Sequence, residues 1–212
     1  PNTGGMGAYS PLPWAPPHLA QDIIDTVAQP VIDEMHRRGT PFVGTLYVGL
    51  AMTSRGPRVV EFNCRFGDPD GQASLARLVT PVGTLLYAAA TGRLAEFDDL
   101  HHRPEAVVVV VEAASGYPAA PRVGDPIDGL DEVESIEGAY VLHAGTRLVD
   151  DGLLVSSGGR VLNVVARGAD LAEARDTAYR ALELVSLPGG HHRSDIALAA
   201  SRGEITVEGR TG

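Results

Sequence analysis

A single cysteine, Cys64, is all the sequence contains, so no internal disulfide framework can hold the chain, and such usage fits a reducing compartment. Long apolar runs are missing too. None approaches the ~20 residues that span a bilayer as a helix, and no basic segment leads into an apolar one as a secretory leader would. These absences point to a cytoplasmic protein without a membrane partner. Positive charge is scarce: 17 Lys and Arg face 27 Asp and Glu, a formal net charge of -10. That balance argues against a surface built for nucleic acid. Any bound phosphate must be met by local groups: an arginine, backbone amides or a metal ion.

What remains is ordinary globular material. Hydrophobic residues make up 44% of 212, enough for one large domain or two modest ones. The 25 glycines and 15 prolines mark tight turns, because the apolar runs between them are strong. The first residue, Pro1, leads straight into Asn2-Thr3-Gly4-Gly5-Met6-Gly7. A natural chain seldom begins inside a functional loop, so an N-terminal portion is expected to be missing or to lie on another chain.

Residues 1–17 read as an extended, proline-rich loop. Leu19, Ile23, Val27, Val31 and Met35 recur every four residues and predict a helix over 18–38, kinked at Pro30 and ended at Gly39. Two strands, 42–53 and 58–65, follow around a Ser54-Arg55-Gly56-Pro57 turn. Residues 72–91 predict helix, divided at Pro81. The charged stretch 96–105 reads as a linker and places a domain boundary there. Beyond it, 106–114, apolar but for Glu112, reads as a strand buried on both faces. Strands over 140–143 and 161–166 follow, with a tight turn at Gly158-Gly159. Asp170 and Glu173 have capping-box spacing at the start of a helix over 170–185, whose core face is Leu171, Ala174, Ala178, Ala181, Leu182 and Val185. The acidic segment 125–137 reads as a solvated face, and His101-His102 and His191-His192 as surface histidines. The expected division is 1–100, 101–200 and a mobile tail, 201–212.

Alternation along 58–66 separates two faces. Val60, Phe62, Cys64 and Phe66 suit a core. Glu61, Asn63 and Arg65 share the other side. Glu61 and Asn63 offer hard oxygen ligands about 7 Å apart at their backbones, within reach of one Mg²⁺, which takes one or two protein ligands and completes its octahedron with phosphate and water. Arg65 adds a permanent fork donor for a phosphate or carboxylate oxygen. A Glu-x-Asn-x-Arg strand alone is more often a half-exposed face carrying a weak ion pair. Asp68 and Asp70 follow at the turn, where both residue types also serve as turn and cap formers. The glycines of residues 3–7 could turn consecutive amides toward an anion, although no Walker pattern follows.

Asn2–Pro11, Leu46–Leu50 and Glu61–Pro69 in this order, continued by Gly116-Tyr117-Pro118, Gly124–Ile127, His143–Thr146 and Gly158–Leu162, resemble the phosphoribosylamine–glycine ligases, also called glycinamide ribonucleotide synthetases. The similarity covers residues 1–200. It implies an α+β fold: the C-terminal half of an ATP-grasp domain followed by a small mixed β/α domain. It also implies a step of purine biosynthesis, in which ATP phosphorylates glycine and 5-phosphoribosylamine attacks the glycyl phosphate. By that resemblance Glu61 and Asn63 ligate Mg²⁺, with Mn²⁺ an alternative. Arg65 and Asp68 act in catalysis, while Asn2, Thr3, Gly4, Gly5, Met6, Gly7 and Asp70 hold substrate or phosphate. Cys64 faces the core and is inert.

The family continues Phe-Gly-Asp-Pro with Glu-Thr-Gln, where this chain has Asp70-Gly71-Gln72, a shorter acid and a looser helix start. The half that supplies the adenine pocket and the phosphate-binding lysine would precede Pro1. Two other readings stand beside the ligase: an ATP-grasp relative joining another carboxylate and amine, and a non-catalytic fragment or partner subunit. The isolated chain is expected to be inactive.

Overall fold

A computed structural model describes residues 5–97, 99–150 and 152–206. The chain forms two compact units that do not follow chain order. The first holds the described residues up to Pro11 together with Asp68–Arg77 and Arg103–Glu204, and the second holds Leu12–Gly67 and Leu78–His102.

The first unit is organised by the valine run. Strand β1 (Gly7–Ser10) begins the unit, and β4 (Ala106–Ala113), β5 (Ala139–His143) and β8 (Arg160–Gly168) join it in an antiparallel sheet of order β1-β4-β8-β5. Every residue of β4 is buried, as its sequence predicts. One face carries Val107, Val109 and Val165, packed on Ala73 of helix α3 (Asp70–Arg77). Helix α6 (Leu171–Leu182) packs on β4 and β8, and alternation assigns it Val108 and Val110. Asp170 caps α6 by accepting the Glu173 amide at 2.9 Å, and the Glu173 carboxylate reaches back to the amide of Ala169 at 2.7 Å. The expected core face of α6 is buried, Val185 partly so, and Thr177 joins it.

Three expectations fail in this unit. Residues 7–10 are not loop, because Gly7–Ser10 pairs with Val107–Val110: a partner far along the chain supplies what local sequence does not. The acidic segment is not simply solvated, since Ile127 and, within helix α5 (Leu130–Glu134), Val133 enter the core. A small ladder, β6 (Thr146–Leu148) with β7 (Leu154–Ser156), forms where no strand is expected. Helix α7 (Leu198–Ser201) closes the described chain, and the Glu204 amide still bonds back to Ala199 at 2.9 Å. Residues 207–212 of the tail lie outside the described residues.

In the second unit, helix α1 (Leu19–Ile23) runs through a π-turn, Ile24–Ala28, into α2 (Gln29–Arg37). Pro30 lies in the first turn of α2, directly after the π-turn, where a proline's missing amide is tolerated. Strands β2 (Tyr47–Thr53) and β3 (Gly56–Asn63) form a hairpin. Pro81 sets the start of α4 (Val82–Ala90). The expected linker is partly tied down: His101 accepts from the Val79 amide at 2.8 Å, and His102 bridges Leu78.

The hairpin overturns the expected core face. Val60 is 69% exposed, Phe62 43% and Phe66 40%, and Cys64 is exposed. The main neighbour of β3 is β2, and among the described residues no layer seals that side. No helix among the described residues is long and apolar enough to cross a membrane.

Candidate active site

The β2–β3 register slips at Gly49/Leu50, where Gly49 faces Glu61 and Leu50 faces Val59, so Val60 is an extra residue. Such a bulge breaks alternation across it. Glu61 and Asn63 both lie beyond it and keep a common side. Their side chains meet: Asn63 Nδ2 donates to Glu61 Oε1 at 3.0 Å. Two adjacent ligands at about 2.1 Å from an octahedral Mg²⁺ are also about 3.0 Å apart. Which end of the Asn63 amide turns inward is a matter of side-chain rotation. The pair therefore suits a hard divalent ion. Among the described residues no group of three or more His, Cys, Asp or Glu could hold one.

Arg65 is not on the strand, which ends at Asn63. Its Nη1 donates to the Phe66 carbonyl at 2.8 Å, and the side chain is exposed. Alternation along the strand thus brings Glu61 and Asn63 together and misplaces Arg65.

In the first unit the glycine loop meets the acidic corner. A Cβ at Gly5 would lie 2.3 Å from Pro69 Cδ and 2.9 Å from the Asp68 carbonyl, so only glycine permits this approach. Met6 O accepts from the Val111 amide at 3.0 Å, and Gly7 opens β1. The expected row of free amides is thereby shortened from its C-terminal side. Asn2, Thr3 and Gly4 lie outside the described residues. Asp68 Oδ1 accepts from Gln72 at 3.1 Å, while Asp70 is the first residue of α3.

Arg160, part of the Gly158–Leu162 motif but given no role by the sequence, ties the corner together. Its Nη1 donates to the carbonyls of Gly5 at 3.1 Å and Asp68 at 2.9 Å, and Nη2 donates to Asp68 Oδ2 at 3.1 Å. The neighbouring motifs set its place. The Tyr117 ring lies where a side chain at Gly159 would be, Gly145 and Gly158 touch backbone to backbone, and the Arg160 carbonyl accepts from the Gly145 amide at 2.9 Å. The only local signal is an arginine directly after a Gly-Gly turn. His143 Nδ1 lies 3.0 Å from Thr146 Oγ1, a local structural contact.

His192 is not a free surface residue either. Its Nδ1 lies 2.6 Å from Oε2 of Glu112, which is buried in β4. Burial pushes the Glu112 carboxyl up from its ordinary range, and His192 opposes that shift.

Residues 1–71 match the family profile "Phosphoribosylglycinamide synthetase, ATP-grasp (A) domain", and residues 107–199 match "Phosphoribosylglycinamide synthetase, C domain". Phosphoribosylamine–glycine ligase of Streptomyces coelicolor is 61% identical over 203 residues, covering 95% of this chain and 49% of that protein. The chain belongs to the phosphoribosylamine–glycine ligase family. The ligase of the same name from Mycobacterium tuberculosis is 57% identical over 206 residues, covering 97% of this chain and 47% of that one. The crystal structure of the Thermotoga maritima phosphoribosylamine–glycine ligase superposes with a TM-score of 0.78 at 32% identity, covering 93% of this chain and 47% of that chain. A biotin carboxylase domain of a thermophilic 2-oxoglutarate carboxylase shares the fold alone, with a TM-score of 0.64 at 13% identity, over 95% of this chain and 45% of its own. The fold is thus the α+β arrangement of ATP-grasp enzymes, and the chain spans about half the length of the curated relatives it matches.

Proposed function

We propose that this chain supplies the metal- and phosphate-holding part of an ATP-dependent ligase that joins glycine to 5-phosphoribosylamine, yielding glycinamide ribonucleotide, ADP and phosphate in the cytoplasm. The N-terminal half of such an enzyme would provide the adenine pocket. Residues 1–100 would be the C-terminal part of the ATP-grasp domain and 101–200 the family's C-terminal domain, with 201–212 a tail. The observation that carries this reading is the 3.0 Å approach of Glu61 and Asn63 on one side of β3, in a chain matching two domains of one enzyme.

Glu61 and Asn63 would hold a divalent ion, Mg²⁺ or Mn²⁺. When bound, it neutralises charge on the transferring phosphoryl group. The protein's own share is positioning and electrostatics. Arg65, exposed beyond the strand, can swing its guanidinium from the Phe66 carbonyl to a phosphate oxygen. Asp68, held by Gln72 and Arg160, fixes the corner against which Gly5 packs. Asp70 would add a carboxylate at the α3 start, and residues 2–7 would approach phosphate through backbone amides. Attack of the amine on the acyl phosphate needs no protein nucleophile.

The test is Glu61→Gln in a protein carrying both halves. Magnesium-dependent turnover should fall at least on the order of 100-fold, with an unchanged circular dichroism spectrum. Turnover near the wild-type rate at ordinary Mg²⁺ would remove Glu61 from the metal site. The isolated chain should not hydrolyse ATP in the presence of glycine and phosphoribosylamine; robust hydrolysis would refute the need for the other half.

A further inference from the structure

The end of the first unit's sheet remote from Arg160 holds a polar cavity of about 820 Å³. Ala106 pairs with Gly168 at this end and Ala113 with Arg160 at the other, so roughly 25 Å of strand separates the cavity from the Gly5–Asp68 corner. Its walls include Glu105, Glu137, Arg167, Glu173, Thr177 and Arg180. Some of these groups are engaged. The Glu173 carboxylate accepts the Ala169 amide, Thr177 Oγ1 takes one Arg180 N–H at 3.2 Å, and the Glu105 carbonyl accepts from Arg77 Nε at 2.9 Å.

Four charged groups keep capacity, the exposed Glu137 among them. Glu105 Oε2 is shielded from solvent and accepts no hydrogen bond from any described residue, a state costing about 1–3 kcal/mol, and a ligand in the cavity meets this oxygen once the carboxyl turns outward. Neither Arg167 nor Arg180 has a carboxylate within ion-pair distance among the described residues. A wall with a shielded, hydrogen-bond-hungry carboxylate on one element and two uncommitted guanidiniums on others calls for a ligand with separated opposite charges. A plain anion would leave Glu105 unmet, and a plain cation would leave the arginines unmet.

We infer that this cavity binds a small zwitterion, its cationic nitrogen toward Glu105 and its carboxylate or phosphate toward Arg167 and Arg180. The inference does not rest on the ligase reading, because it uses none of the residues of the Glu61 or Asp68 regions.

The experiment is an amide NMR titration of the full chain with O-phosphoethanolamine and, separately, γ-aminobutyrate, each compared with inorganic phosphate and ethanolamine alone. At least one zwitterion should give saturable shifts at Ser135–Gly138 and Gly168–Ala169, and the tighter of the two identifies the anionic group. The single-charge probes should bind at least tenfold more weakly, and Glu105→Gln and Arg180→Ala should each weaken the zwitterion by about tenfold, the loss of one charge-assisted contact. Arg180 is exposed on α6, so its removal leaves the fold intact. No saturable shift with either zwitterion, phosphate binding as tightly as phosphoethanolamine, or binding indifferent to Arg180→Ala would each overturn the proposal.

Discussion

Val107–Val111 in the first unit are sealed from solvent, whereas Val59, Val60 and Phe62 in the second are 43–69% exposed. Both stretches are apolar, and both lie in antiparallel strands. The difference is what each strand packs against: β4 sits between two sheet neighbours with α3 and α6 packed on the sheet, while β3 has β2 as its principal neighbour. Apolar sequence marks a surface that needs a cover; it does not say that the same chain provides it. Exposed apolar surface thus lies on the unit that also carries Glu61 and Asn63, and on the proposed reading the N-terminal half covers it.

The sharpest test contrasts Leu162 with Phe62. Leu162→Ala removes a fully buried side chain and should cost about 2–5 kcal/mol in urea denaturation. Phe62→Ala should cost less than about 1 kcal/mol in this chain, rising to about 3 kcal/mol in a protein that carries the N-terminal half. Equal costs for Phe62→Ala in both proteins would mean that nothing buries this face.

A smaller loss is expected from His192→Ala, which leaves Glu112 buried without its partner. We expect about 1–2 kcal/mol, discounted because the His192 side chain is 34% exposed. The same carboxyl should make the first unit sensitive to pH. Its pKa is raised in the folded state, chiefly by burial, so its contribution is fully present below the ordinary glutamate range and is lost as pH rises through the raised value. The stability of wild type relative to Glu112→Gln, followed by urea denaturation at stepped pH, should therefore decline through that window. A flat difference would mean that Glu112 does not titrate there. The least effect belongs to Glu61→Gln, whose parent side chain is exposed and which should shift stability by no more than about 0.5 kcal/mol.

These contrasts bear on what the sequence could reveal. Buried β4 was legible because five successive valines leave no polar face, and α6 because Asp170 and Glu173 cap it locally. Glu61 and Asn63 were legible as a pair because both fall on the same side of the bulge. The bulge itself left no signature, so the face assigned to Val60 was lost with it. Strand β1 was hidden because Gly-Ala-Tyr-Ser carries no pattern of its own and takes its conformation from β4. The Arg160 clasp and the Glu112–His192 pair were hidden for the same reason: their partners are neighbours only in space.

The clasp has a consequence for the order of events in synthesis. Arg160 lies 155 residues after Gly5 and 92 after Asp68, and closing such loops is an entropic cost that only late contacts can offset. While the ribosome has yet to release β8, the glycine loop and the acidic corner have been made but lack the guanidinium that bridges them. A nascent chain stopped short of Arg160 would carry both halves of the corner without the guanidinium that joins them.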